Sequence, residues 1–246
     1  IRDRLKSIKN SRKGGVSVAQ LIPNKQIADA LTLGIVNDTS ENVDADFLMP
    51  SMTSFGPQPP IKKSKLKKKI NQTYPIFTPR KGTIASLEGG METLIKALEK
   101  KLLESNNITI KLNQTIKSLE SLSSEYEIPE SSIIWAAPGL QDDYQYTELS
   151  IFAIGYHEDN VSDVEIGYGT LIPDITIPIS GILNESDIHD SKRCPKDHRL
   201  FRLMVPHTRW NGEEELILSH AQKLLGMNPV LFSKIGERKI PRYKPG

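Results

Sequence analysis

The sequence predicts an α/β fold, and three observations carry that prediction. After Gly89-Gly90, the residues Met91, Leu94, Ile95, Leu98 and Leu102 recur at i, i+3, i+4, i+7 and i+11, one apolar face at the helical period. Ile108-Thr-Ile-Lys-Leu112 then alternates at period two, as a half-buried strand does. Ile133-Ile134-Trp135-Ala136-Ala137 is apolar on both faces and stops at Pro138, which predicts a buried strand. The paired glycines can adopt backbone angles closed to other residues, so they predict a tight turn into the helix.

Composition bounds the rest. The chain has 246 residues, enough for one large domain or two modest ones, with 37% hydrophobic and 25% charged residues, a globular balance. A net charge of +2 creates no global field that would select nucleic acid. A single cysteine, Cys194, excludes an internal disulfide framework and points to a reducing compartment. We read sequons such as Asn107-Ile-Thr109 as chance. No apolar run is long enough to span a membrane, and no signal peptide is recognisable. The chain opens on Ile1 rather than Met, and we expect it to be a piece of a longer product.

Four segments are expected along the chain. Residues 1–16 form a basic linker. Residues 17–73 form a helical region: Ser17-Val-Ala-Gln20 has the spacing of a capping box, and Ile27, Ala28, Leu31 and Ile35 continue a helical face. The four prolines between Met49 and Pro60 make a loop. The run from Ile61 to Ile70 carries six lysines in ten residues. It reads either as a solvated charged face or as a membrane-surface patch, in which each lysine contributes roughly 1 kcal/mol beside an anionic leaflet. Without interleaved aromatics or a second basic surface it is not a nucleic-acid site. Residues 74–140 hold the turn, helix and two strands described above, with a polar hairpin between the strands. Residues 141–246 form a mixed sheet. There Glu148–Tyr156 is a strand and Val164–Pro173 its expected antiparallel neighbour, while Ile179–Leu183 and Leu200–Val205 add two more. A helix spans Glu213–Leu225 with a face of Leu216, Ile217, His220, Ala221 and Leu224, and Gly226 stops it. Leu231–Ile240 returns to the sheet and Pro241 ends it.

Most catalytic signatures are missing. No Gly-x-Ser-x-Gly elbow is present. His189, Cys194, His198 and His207 fit no common zinc spacing, so we expect no metal. Cys194 precedes a proline in a polar loop, an ordinary setting for a cysteine. No Gly-x-Gly-x-x-Gly occurs, so the chain lacks the turn that seats a dinucleotide pyrophosphate on a helix N-terminus.

The order of Gly-Gly-Met, helix, strand, polar hairpin and apolar strand ending Ala-Ala-Pro-Gly resembles the middle of the flavin amine oxidase superfamily. Gly167-Tyr-Gly-Thr-Leu-Ile-Pro173, Leu224-Leu-Gly-Met227 and Ile240-Pro-Arg-Tyr243 narrow the resemblance to protoporphyrinogen oxidase, over about Ser17 to Gly246 with gaps. The resemblance covers a central portion and neither flavin-anchoring end. It implies an α/β fold made of part of a Rossmann-like FAD-binding domain and a mixed-sheet substrate domain, with a helical, membrane-associating insertion. It implies FAD as cofactor and, as activity, oxidation of protoporphyrinogen IX to protoporphyrin IX with oxygen as acceptor, in haem biosynthesis. The porphyrinogen pocket would fall on Tyr168, Gly169, Leu171, Met204 and Ile240; the flavin contacts would fall on Ile116, Ala137 and Pro138. A flat substrate passing close to the backbone would be the reason for glycine at position 169. Each of these residues also reads as ordinary packing. The implied location is peripheral to the mitochondrial inner membrane or a bacterial inner membrane, with the Lys62–Lys69 run against lipid. A homodimer is compatible with the sequence. Two other readings stand beside this one: another flavin oxidase or desaturase relative, and a non-catalytic scaffold that keeps the sheet.

Overall fold

The computed structural model describes residues 15–49, 87–137, 145–189 and 193–245. The chain divides into two compact units, Ile1–Thr78 with Tyr144–Gly246, and Pro79–Asp143. The basic run at 62–69, the proline loop after Met49 and Pro138 lie outside the described residues.

In the larger unit, Ser17 starts α1 (Val18–Leu21) with the predicted capping box: its hydroxyl accepts from the Gln20 N–H, and the Gln20 side chain accepts from the Ser17 N–H. Asn24 caps α2 (Lys25–Val36), and Asp44 caps α3 (Ala45–Leu48). The buried stripe of α2 is Ala28, Thr32, Leu33 and Val36, whereas Ile27, Leu31 and Ile35 are exposed, two of them by more than half (53% and 54%). The expected face is thus turned by about one residue, roughly 100°. The side turned inward carries small residues that let Val18, Leu21, Val43 and Ala45 pack closely, and Thr32 satisfies its hydroxyl on the Ala28 carbonyl at 2.8 Å. Asp29 closes the following loop: its carboxylate accepts from the Ser40 N–H (3.0 Å) and hydroxyl (2.5 Å) and pairs with Lys25 at 3.3 Å.

Five strands follow in one sheet: β1 (Gln145–His157), β2 (Gly169–Leu171), β3 (Gly181–Leu183), β4 (His198–Pro206) and β5 (Leu231–Arg242), in the order β2-β3-β4-β1-β5. Every pairing is antiparallel, so the expected mixed sheet is corrected for the described residues. The partner of β1 is also corrected. Its neighbours are β4 and β5, and of the 164–173 stretch only Gly169–Leu171 becomes a strand, at the edge beside β3. Strands β4 and β5 both run antiparallel to β1 and therefore parallel to each other. Two parallel strands need a long crossover, and α7 (Glu214–Leu224) supplies it. Between β3 and β4 lies the short α6 (Glu185–Ile188). Pro241 does not end β5: on an edge strand it costs no inner ladder bond, and pairing continues to Arg242. A bulge at Ile235 shifts the register between Ile151 and Phe152.

One face of the sheet builds the main core. Phe152, Ile154 and Tyr156 of β1, Phe201, Leu203 and Val205 of β4 and Ile182 of β3 pack with Ile217, Ala221 and Leu225 from α7 and the residue after it. The α7 face centres on Ile217 and Ala221, and Leu224 points to solvent, one position off the expectation. Phe152 stacks on Phe232 at 5.3 Å and meets Trp210 edge-on at 5.6 Å. Arg199 and Asp187 form a partly buried pair at 2.7 Å that ties α6 to β4.

The smaller unit holds the predicted double-glycine turn, with φ of 81° at Gly89 and 86° at Gly90, and the predicted helix as α4 (Glu92–Leu103). The hairpin is replaced by α5 (Leu119–Tyr126), which a Ser118–Ser121 capping box starts. Neither expected strand forms: residues 108–112 and 133–137 carry no ladder, and Ile134 is 93% exposed. Alternation extends a backbone, but only a partner makes it a strand. No residue of α4 or α5 is buried.

Gly169 has φ 146°, and a β-carbon there would overlap the Ile182 carbonyl oxygen across the ladder. This corrects the reason given for that glycine: backbone contact with β3 demands it, with or without a ligand. Gly169→Ala should therefore lower stability in urea by more than about 1 kcal/mol; an unchanged midpoint would contradict the assignment.

A second outcome concerns Asp29. Burial pushes its carboxyl up, but the Ser40 and Lys25 contacts outweigh this and hold it below the ordinary 3.8. A depressed native pKa stabilises the fold above 3.8, and that contribution disappears as pH falls through the native value. Asp29→Asn should thus lower the melting temperature at about pH 7, and the gap to the unaltered chain should close towards about pH 2. A gap independent of pH would assign the effect to packing alone.

Candidate functional site

The second face of the sheet, opposite the main core, carries four of the residues the sequence singles out, Gly169, Leu171, Met204 and Ile240. Leu171 pairs with Gly181, Gly181 with Met204, Met204 with Ile151 and Ile151 with Gly236, one cross-strand row over all five strands. Two of its members are glycines, which lower the floor. A β-carbon at Gly181 would lie 2.6 Å from Met204 Cε and 3.5 Å from Leu171 Cδ2, so both side chains fold into the space that this glycine leaves. Gly34 of α2 does the same on the other side of Leu171, since a β-carbon there would come within 3.1 Å of Leu171 Cδ1. Leu171, Met204 and Ile151 thus remain partly exposed on a floor of glycine.

The other sequence candidates are dispersed. Gly169 is on the same face as Leu171, at the start of β2, and Tyr168 precedes it, 57% exposed. Ile240 is on the same face as Gly236, about 13 Å further along β5 by strand rise, and packs against the helical cluster of Val18, Ala28 and Val36. In the smaller unit Ile116 is half-buried in an extended stretch and Ala137 is exposed. Among the described residues there, nothing forms a pyrophosphate cradle, and the Trp135 indole nitrogen is buried without a hydrogen-bond partner. The described residues of that unit do not make an FAD site by themselves.

A cleft of about 570 Å³ escaped the sequence reading. Its walls come from the loop after α2, the start of β1 and the turn after β4. Asp38 is its most connected carboxylate: it pairs with Arg242 and accepts from Thr147 Oγ1 at 3.3 Å, Asn42 Nδ2 at 3.1 Å and the Thr39 N–H at 2.6 Å. Glu148 pairs with Lys239 at 2.7 Å, and that ammonium holds its carboxyl below the usual range. His207 Nε2 lies 3.0 Å from Ser150 Oγ, and His207 Nδ1 lies 3.7 Å from Glu148 Oε2. The order Ser, His, Glu resembles a hydrolytic triad, but Ser150 is wholly buried and its hydroxyl cannot meet a substrate. Among the described residues no group of three or more metal-ligating side chains occurs. Its lining residues come from 37–42, 146–148, 175, 207–209 and 242, too far apart along the chain for any local motif to join them.

No protein-family model matches the chain, and no curated protein matches it. Several solved structures resemble it, two of which illustrate the likeness. A UDP-galactopyranose mutase in its reduced form aligns with 42% of this chain and 23% of its own, at 18% identity and a TM-score of 0.34. A protein from Exiguobacterium sp. 255-15, provisionally described as a protoporphyrinogen oxidase, aligns with 94% of this chain at 13% identity and a TM-score of 0.54. The chain spans 56% of that protein's length. At this identity the likeness is one of fold alone.

Proposed function

We propose that the chain is the sheet-bearing portion of a flavin-dependent oxidoreductase whose substrate is protoporphyrinogen IX, oxidised to protoporphyrin IX with oxygen as acceptor in haem biosynthesis. The observation that carries this reading is the fold shared with the Exiguobacterium protein over 94% of the chain. The motif order from Gly89-Gly90 to Tyr243 supports it further. Under this reading the row of Leu171, Gly181, Met204, Ile151 and Gly236 is the floor for the apolar disc of the substrate, with glycines admitting close approach. FAD, when bound, supplies the redox chemistry. This chain's own part is then to hold and orient the substrate. A scaffold without redox activity is the second reading, favoured by the lack of any Gly-x-Gly-x-x-Gly in the sequence.

We place the protein peripherally on an energy-transducing inner membrane, mitochondrial or bacterial. The exposed Ile27, Leu31 and Ile35 stripe of α2 and the six lysines between Lys62 and Lys69 support this. No described helix is long and apolar enough to cross a membrane.

Protoporphyrin IX fluorescence should change saturably on titration with the chain, and Met204→Asp should weaken binding about tenfold, near 1.4 kcal/mol, with the melting curve retained. Absence of saturable binding by the unaltered chain would sink the porphyrin reading and leave the fold alone. Co-sedimentation with phosphatidylserine vesicles should fall steeply as salt rises, and Lys→Gln changes at 62–69 should weaken it at low salt and flatten that salt dependence. Binding indifferent to both would leave the lysines as a solvated face.

A further inference from the structure

We propose that the cleft between the 37–42 loop, the start of β1 and the 206–209 turn binds a carboxylate-bearing organic anion, gripped side-on by Arg209. Arg209 lines this cleft of about 570 Å³ and also one of about 350 Å³ that shares Asp38, Thr39 and Ile175 with it, so this one residue borders both. Its Nη1 donates to the Ile172 carbonyl at 2.9 Å and to the Asp174 carbonyl at 3.1 Å, which uses both hydrogens of that nitrogen and fixes the plane of the group. Nε and Nη2 make no hydrogen bond among the described residues, and neither is a buried atom lacking a partner. The edge left open is the Nε–Nη2 edge, whose two parallel N–H bonds match the two oxygens of a carboxylate.

Charge bookkeeping singles out the same residue. Asp38 has Arg242, Glu148 has Lys239, and Asp29 and Glu41 share Lys25. Among the described residues Arg209 has no carboxylate within ion-pair distance. Its negative neighbours are, in order, Asp174, Asp29 and Asp38: the first is turned to the Thr176 N–H and hydroxyl at 2.9 and 2.8 Å, and the other two are paired with Lys25 and Arg242. Partial burial disfavours the charged guanidinium, and Arg209 cannot shed its proton in practice, so a desolvated cation is held ready in a fixed orientation. Ile175 and Tyr146 are exposed, line the same cleft and give apolar surface for the body of the ligand. The ligand class is therefore an aromatic or branched carboxylate rather than a small inorganic ion. None of this depends on the porphyrin reading.

The test is a titration of the uniformly ¹⁵N-labelled 246-residue chain with benzoate, followed at the Arg209 Nε–H resonance, with benzamide and inorganic phosphate as parallel arms. Benzoate should shift the Arg209 resonance saturably, and benzamide should not. Arg209→Lys keeps the charge and loses the paired edge, so it should weaken benzoate about tenfold. If that variant does not fold, the resonance in the unaltered chain decides alone. A linear drift shared by all arginines would make Arg209 a structural clamp on residues 172–174 only and overturn the proposal. A phosphate shift equal to or stronger than that of benzoate would overturn the carboxylate assignment.

Discussion

The register of β1 is the constraint on which the larger unit depends. β1 is paired along both edges, with β4 through Leu149 to His157 and with β5 through Gln145 to Gly155. Because side chains alternate, a slip of one residue would move Phe152, Ile154 and Tyr156 from the core to the opposite face and bring Ile151 and Ala153 inward. The three core residues are fully buried, so such a slip would forfeit several kcal/mol of burial. The parallel relation of β4 and β5 follows, and with it the need for α7, which then closes the core from above.

That register also divides the sheet into two chemically different faces. The core face is aromatic and aliphatic. The second face is shallow, because Gly181 and Gly236 occur in the same row as Leu171, Met204 and Ile151. Helix α2 reaches this face through Gly34, where it touches Leu171, and its end leads into Asn37, a left-handed residue at φ 57° that turns the chain toward Asp38. The polar cleft begins there. An apolar floor and a charged cleft are thus set by two consequences of one turn, and Arg209 joins them by donating to the carbonyls of Ile172 and Asp174, just past Leu171.

The smaller unit shows what happens when a pattern has no partner. Met91, Leu94, Ile95, Leu98 and Leu102 keep their helical spacing, yet all are exposed. The helix forms because its spacing, its Glu92–Lys96 pair at 3.0 Å and basic residues in its last turn are local. The strands at 108–112 and 133–137 do not form because a ladder requires a second chain segment.

The sequence by itself determined what is written within a few residues: the Ser17–Gln20 capping box, the Gly89-Gly90 turn and its helix, the existence of β1, β4 and β5, and the helix stopped by Gly226. At Gly226 a β-carbon would run into the Asn160 carbonyl oxygen, so even this local signal has a distant enforcer. Only the tertiary structure decided which strands are neighbours, which side of α2 is buried, and that Leu171 and Met204 meet over Gly181. It alone assembled Asp38, Thr147, Glu148, His207, Arg209 and Arg242 around one cleft. The physical reason is that pairing and register are chosen by burial summed over segments far apart in the chain, whereas caps, turns and periodicity are chosen by bonds between near neighbours.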